Sequence, residues 1–271
     1  MTGLGWQGRA AVILTAATLA AGCDVRAGEG DFSFEFAAGK ATDTWTRSYA
    51  LAPGGRIEII NVNGPIHAEA TTGSKVEVVA ERSASASSDD DAARLLAAVQ
   101  MREEVGDGRV RIETVAPRVR LGAHKVSYLV RVPAGVHIDL RTVNGGVRLD
   151  NVGGEVRASS TNGGVKGTLA GASLIDARTT NGGVELSVTG ALAEDGDVRL
   201  SSVNGGVRLS LPAATRAAVS ARCDNGRITV NDFELSAEGE QTRRRVAGTL
   251  NGGGTRIDLQ TTNGGVTIGR S

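Results

Sequence analysis

Aromatic side chains make up only 3% of the 271 residues, which removes the usual source of bulky core volume. Interior volume must come from Val, Leu, Ile and Ala, a set that suits narrow stacked strands better than a thick globular core. The scarcity also bears on chemistry. Past Val136 the one aromatic is Phe233, so the repeat half lacks the stacking platforms of a sugar cleft. Neither charge sign is in excess, at 30 basic against 30 acidic residues, so no net field draws the chain to nucleic acid. His67, His124 and His137 stand singly, without the paired spacing of a metal site, and read as surface or turn residues. No Gly-rich loop leads into a helix as a phosphate cradle would. No cofactor or metal is expected, and no catalytic residue.

Cysteine appears twice, at Cys23 and Cys223. Residues 1–22 read as a secretory signal: Arg9, an apolar run Ala10–Ala21, then small residues. That run is too short for a spanning helix. Leu19-Ala20-Ala21-Gly22-Cys23 resembles a bacterial lipoprotein box, which implies lipidation of Cys23 and attachment to a membrane. Ala20 stands where leucine is usual, and ordinary cleavage is the alternative. Lipidation would leave Cys223 without a disulfide partner. Residues 23–41 then read as a Gly-rich tether.

What the chain has in abundance is glycine, 38 residues, much of it in a recurring phrase. Thr142-Val143-Asn144-Gly145-Gly146-Val147 returns around Asn162-Gly163, Asn181-Gly182, Asn204-Gly205, Asn225-Gly226 and Asn263-Gly264. Weaker copies sit at Thr249–Gly254 and Asn61–Ile66. Aligned on Asn, the residue two before is Thr142, Ser160, Thr179, Ser202, Cys223, Thr249 and Thr261; four and six before are small or apolar, with Arg245, six before Asn251, the exception. Odd offsets are mostly polar, and Val147, Val165, Val184, Val207, Ile228 and Val266 form a column after the corner. This is period two, so each copy is strand, tight Asn-Gly corner, strand. Asn and Gly tolerate left-handed backbone angles, which a sharp corner would use. Stacked copies would place Asn over Asn in an amide ladder. Asn-Gly also marks two-residue hairpins, so an antiparallel meander is the rival. The columns stay in phase across unequal spacings, which selects a parallel β-solenoid over residues 136–271, with the final short copy after Asn251 as an incomplete cap.

Residues 42–135 read as a β section with one helix. Ser87-Ser88-Asp89-Asp90-Asp91 precede Ala92, Leu95, Leu96 and Val99 at helical spacing, a helix start, and Gly106-Asp107-Gly108 is the expected stop. Cys223 reads as a buried thiol in a hydroxyl column. Outward Asp139, Asp176 and Asp258 share one column with Arg157, Arg199 and Ser220, which reads as a solvated mixed-charge face. Arg141, Arg178, Arg222, Arg148, Lys166 and Arg208 lie outward too, and Arg243-Arg244-Arg245 sits in the most irregular insertion.

The exported start, the NVNG strand pair, the helix, the segment Tyr128–Gly135 and the serial T-x-N-G-G-V copies together resemble the bacterial adhesin-type domain-of-unknown-function family, over residues 42–271. The resemblance implies a non-catalytic, lipid-anchored envelope protein presenting a β-solenoid for adhesion or scaffolding, with an envelope protein or glycan as partner. A carbohydrate-active envelope enzyme and an envelope-stress signalling accessory are the alternatives.

Overall fold

A computed structural model describes residues 39–117, 122–239 and 241–271. The signal segment, Cys23 and residues 24–38 of the tether lie outside the described residues. The described residues form one compact unit, mainly β with one helix.

In chain order the strands are β1 (Gly39–Tyr49), β2 (Arg56–Ile60), β3 (Ile66–Thr71) and β4 (Val76–Ala86). Then come α1 (Asp89–Ala98), β5 (Gln100–Gly106), β6 (Arg109–Val115) and β7 (Ala123–Pro133). The repeat half holds β8 (His137–Asn144), β9 (Val147–Asn162), β10 (Val165–Asn181), β11 (Val184–Val188), β12 (Leu192–Asn204) and β13 (Val207–Leu211). It continues through β14 (Ala217–Asn225), β15 (Ile228–Val230), β16 (Ser236–Ala237), β17 (Arg245–Leu250), β18 (Thr255–Asn263) and β19 (Val266–Arg270).

A strand before an Asn-Gly corner and the strand after it make one coil, and each coil pairs in parallel with its neighbours. Numbered along the chain, coil I is β2–β3, II is β8 with the start of β9, and III is the end of β9 with the start of β10. Coil IV is the end of β10 with β11, V is β12–β13, VI is β14–β15 and VII is β18–β19. Coils I to V stack in chain order. The next coil in space is VII: β18 pairs with β12 and β19 with β13. Coil VI lies beyond it, with β14 on β18 and β15 on β19. The last coil is therefore threaded between V and VI, which overturns its reading as an incomplete cap.

Thr249–Gly254 is not a coil corner either. β17 runs antiparallel to β14 on one side while β18 runs parallel to it on the other. Asn251–Gly254 bridges over the start of β14, with Asn251 left-handed at φ 48°. Arg245 departs from the apolar column because it belongs to this antiparallel strand.

Inside, the columns of the sequence become stacks. Ile57, Ile138, Val156, Ile175, Val198, Ile257 and Val219 follow one another in register, each buried. Ile66, Val147, Val165, Val184, Val207, Val266 and Ile228 do the same on the opposite sheet. No coil can bury its apolar face alone, so the core exists only through stacking.

The helix starts where expected: Ser88 caps it by accepting from the Asp91 backbone N–H, and Ala92, Leu95 and Leu96 are buried. It ends at Ala98, well short of the expected stop. Gln100–Gly106 is instead an edge strand antiparallel to β6, and Gly106-Asp107-Gly108 is the turn of that hairpin. Local propensity favours helix through Arg102-Glu103-Glu104; pairing with β6 and packing of Met101 on the core override it. β1 also begins at Gly39, inside the segment assigned to the tether, and pairs along its length with β4.

Candidate functional site

Two polar columns run the length of the stack at the corners. The first is the asparagine ladder. Asn144 Nδ2 donates to Asn63 Oδ1 (2.7 Å), Asn162 to Asn144 (2.8 Å), Asn181 to Asn162 (2.9 Å) and Asn204 to Asn181 (2.9 Å). Asn263 donates to Asn204 (2.8 Å), and Asn225 to Asn263 (2.9 Å). All the amides point one way, so the ladder has a polarity. At its coil I end Asn63 Nδ2 lies 3.2 Å from His124 Nε2. Since Asn63 Oδ1 is already accepting, its Nδ2 must donate, and His124 Nε2 must be the unprotonated nitrogen. Burial lowers the pKa of His124 and supports that state.

The ladder asparagines do not adopt positive φ, so the expected left-handed Asn is corrected. Asparagine is there for its amide. Glycine is there for close approach: a Cβ on Gly145, Gly163, Gly182, Gly205, Gly264 or Gly226 would fall 1.9–2.5 Å from the carbonyl oxygen of the neighbouring coil's glycine.

The second column is buried and one step inward. Thr142, Ser160, Thr179, Ser202 and Thr261 each donate to the corner-glycine carbonyl of the adjacent coil, at 2.6–2.9 Å. Its two ends differ. In coil I Asn61 takes the position, 1% exposed, and donates to Gly64 O (3.0 Å) and Val126 O (2.8 Å). The offset of two before Asn63 makes that role readable from the alignment. In coil VI Cys223 takes it, 1% exposed, with Sγ 3.9 Å from Arg243 O. Burial raises its thiol pKa and disfavours the thiolate that a nucleophile would need.

Charge lines the outer faces, alternating in sign except where Glu58 and Asp139 adjoin. Across neighbouring strands one column reads Arg111, Glu58, Asp139, Arg157, Asp176, Arg199, Asp258, Ser220. Along β8, β9, β10 and β12 an acid also meets an arginine two residues on: Asp139 with Arg141 (2.7 Å), Glu155 with Arg157 (3.0 Å), Asp176 with Arg178 (2.6 Å) and Asp197 with Arg199. Glu58 is 2% exposed under Arg109, Arg111 and Arg141. On the second sheet Asp150 binds both His67 (2.7 Å) and Arg148 (3.0 Å), which holds its carboxyl below the usual range. His137 Nδ1 accepts from the Glu155 N–H. The three histidines thus sit on strands with partners, not in turns.

The ends of the stack are built differently from its middle. At the coil I end, Glu103 on β5 accepts from Tyr49 (2.6 Å) and Arg47 (3.1 Å) on β1, and Arg47 stacks 4.8 Å over Trp45. These contacts join the edge strands of the two sheets. Burial and Glu103 push the Tyr49 pKa far up, and burial raises Tyr128 to about 12. At the other end the backbone of the basic run closes coil VI: Arg243 O accepts from the Ile228 N–H (2.9 Å) and Arg244 O from the Cys223 N–H (3.0 Å). Arg222, Arg244 and Arg245 line a shallow hollow there with Asp224 and Glu238.

Among the described residues no three His, Cys, Asp or Glu side chains converge as a metal site, and no helix is long and apolar enough to cross a membrane. The architecture is a stack of parallel coils with polar ladders at its corners and paired charges outside. Residues 134–269 match the family described as Toastrack DUF4097, and the chain belongs to that family. Comparison with curated proteins returns no match. A candidate cell adhesion protein of Clostridium sporogenes is 14% identical, with a TM-score of 0.50 over 84% of this chain and 100% of its own. A candidate adhesin of Bacteroides fragilis is 13% identical, with a TM-score of 0.33 over 84% and 97% of the two chains. A third, from Parabacteroides merdae, is 8% identical, with a TM-score of 0.29 over 84% and 96%. The first of these shows a shared fold.

Proposed function

We propose that this chain is a non-catalytic protein of the cell envelope, held to a membrane by a lipid on Cys23, whose β-solenoid serves surface binding or scaffolding. The observation that carries the reading is the pairing of outward charge. Acid–base work on a sugar needs two carboxylates facing each other with a gap for substrate or water. Here Asp139, Glu155, Asp176 and Asp197 lie along successive strands, each tied to the arginine two residues on. A pre-paired, repeating face offers many weak contacts to a repetitive partner and little to a single small substrate. The partner class is an envelope protein or glycan, and the basic run Arg243–Arg245 at the end of the stack is the first contact to examine.

The test uses the full chain and its Cys23→Ser form. Membrane fractions should retain the first and release the second, and capture on envelope glycans and envelope proteins should recover a specific partner. Release of reducing ends from an envelope polysaccharide would sink the non-catalytic reading. Equal membrane retention of both forms would sink the lipid anchor.

A further inference from the structure

We infer that Asn225 and Asn251 are sites of spontaneous deamidation, and that the ladder withholds the other Asn-Gly pairs from the same reaction. Asn-Gly is the dipeptide most open to this chemistry, because glycine offers no side chain to obstruct its own nitrogen. That nitrogen, after losing its proton, attacks the asparagine Cγ. The Cγ–Nδ2 bond breaks, ammonia leaves, and a five-membered succinimide forms. Water then opens the ring at either carbonyl to give aspartate or isoaspartate. One water enters, one ammonia departs, and nothing is oxidised or reduced.

The reaction is fastest where the glycine N–H has no acceptor and where the asparagine side chain is least tied and can fold back on its own backbone. Eight Asn-Gly pairs occur in the sequence. In six of them the structure denies both conditions. The N–H groups of Gly64, Gly145, Gly163, Gly182, Gly205 and Gly264 each donate to the asparagine carbonyl of the adjacent coil, at 2.7–3.0 Å. The side chains of Asn144, Asn162, Asn181, Asn204 and Asn263 are held at both Oδ1 and Nδ2 by neighbouring asparagines. Asn63 is held by Asn144 and His124.

Asn225 and Asn251 are the two exceptions. Coil VI has no coil beyond it, so the Gly226 N–H has no backbone acceptor among the described residues and Asn225 is tied only through Nδ2 to Asn263. Asn251 sits in the arch before β18; its Nδ2 donates to Ala213 O (3.1 Å) and Thr215 O (2.8 Å), but the Gly252 N–H likewise lacks a backbone acceptor among the described residues. The consequence is local. Aspartate at 225 would set a carboxylate oxygen against the Asn263 Oδ1 it formerly bonded, and aspartate at 251 would do so against two carbonyls. Both positions adjoin coil VII, so chemical ageing would loosen this end of the stack first.

The experiment is peptide mass mapping of the full chain after prolonged incubation at mildly alkaline pH in heavy-oxygen water, once folded and once in urea. In urea all eight sites should take up label at comparable rates. In the folded chain Asn225 and Asn251 should convert at least about tenfold faster than any of the six, as expected where local opening is easiest. Equal folded-state rates across all eight sites, or no conversion at both positions while the urea sample converts, overturns the inference. Conversion at one alone overturns it for the other.

Discussion

A ladder of amides works only if every member can both donate and accept, and that requirement makes Asn181 hard to replace. Its Nδ2 donates to Asn162 and its Oδ1 accepts from Asn204. Asn181→Asp keeps the acceptor, removes the donor and sets a negative oxygen against Asn162 Oδ1. The loss should be about 1–2 kcal/mol in a urea melt, the scale of a hydrogen bond whose partner is left facing the wrong group. The conservative swap at the free end, Asn225→Asp, should cost less, because only one neighbour is offended. His124 adds a pH dependence at the opposite end. Its folded-state pKa is lowered by burial, so the unfolded chain takes up the proton first. The contribution is complete above the ordinary histidine value of about 6.5 and is lost as pH falls through the lower folded value. His124→Gln retains an acceptor without titrating. Melting temperatures of the two proteins should run parallel above that pH and diverge below it, with the parent falling faster; parallel curves throughout would refute the ladder-end role.

At the scale of the coil, the two glycines of an Asn-Gly-Gly corner meet different surroundings. A Cβ on Gly205 would fall 2.0 Å from Gly182 O, a backbone atom that no rotamer change can move, whereas on Gly206 it would sit 3.4 Å from Gly265 O. Gly205→Ala should therefore cost about 3 kcal/mol, the upper end for overpacking, and Gly206→Ala under about 1 kcal/mol. Comparable losses in urea melts would mean that close stacking is not the reason for the first glycine. Much of the coil is legible in the sequence. Period-two columns, the corner and the helix cap could all be read because local sterics dictate them. The length of the helix could not, since Gln100–Gly106 becomes a strand only through its partner β6. Corner deviations carried a further signal. Arg227 replaces the second glycine in coil VI, where no further Asn-Gly coil stacks beyond, and Pro65 replaces it in coil I, where that residue's N–H is not used in the coil-to-coil backbone bonds. The order of coils VI and VII was not legible, because identical columns fit either neighbour. That order rests on Asn251–Gly254, which spans two strand spacings, about 10 Å, across β14. Deleting Gly252 and Gly253 leaves about 11 Å of fully extended chain, with no slack to arch over β14, so β18–β19 should seat in a second copy. Light scattering should report a dimer at high protein concentration, as expected when a hinge is shortened; a folded monomer at every concentration would count against the threading.

Threading changes how the whole stack should come apart. In a solenoid whose coils follow chain order, the C-terminal coil is an end and frays first. Here coil VII is flanked on both faces, with β18 between β12 and β14 and β19 between β13 and β15. Ile257, Leu259, Val266 and Ile268 are at most 1% exposed, as buried as the centre of coil IV. The true edges are β1 and β5 at one end and β15 with β16 at the other, strands that are short, exposed or rich in charge. Charged edges of this kind also resist pairing with another chain. Because V and VI meet only through VII, the last residues of the chain join the stack's final coil to the rest. Amide hydrogen exchange followed by mass spectrometry should therefore find β18 and β19 among the slowest segments, level with β10, while β5, β15 and β16 exchange early. Fast exchange across Thr255–Arg270, at the rate of β15, would return the last coil to the end of the stack and remove the threaded order. Slow exchange there would show that stability in this chain follows position in space, with the C-terminus holding the interior of the stack together.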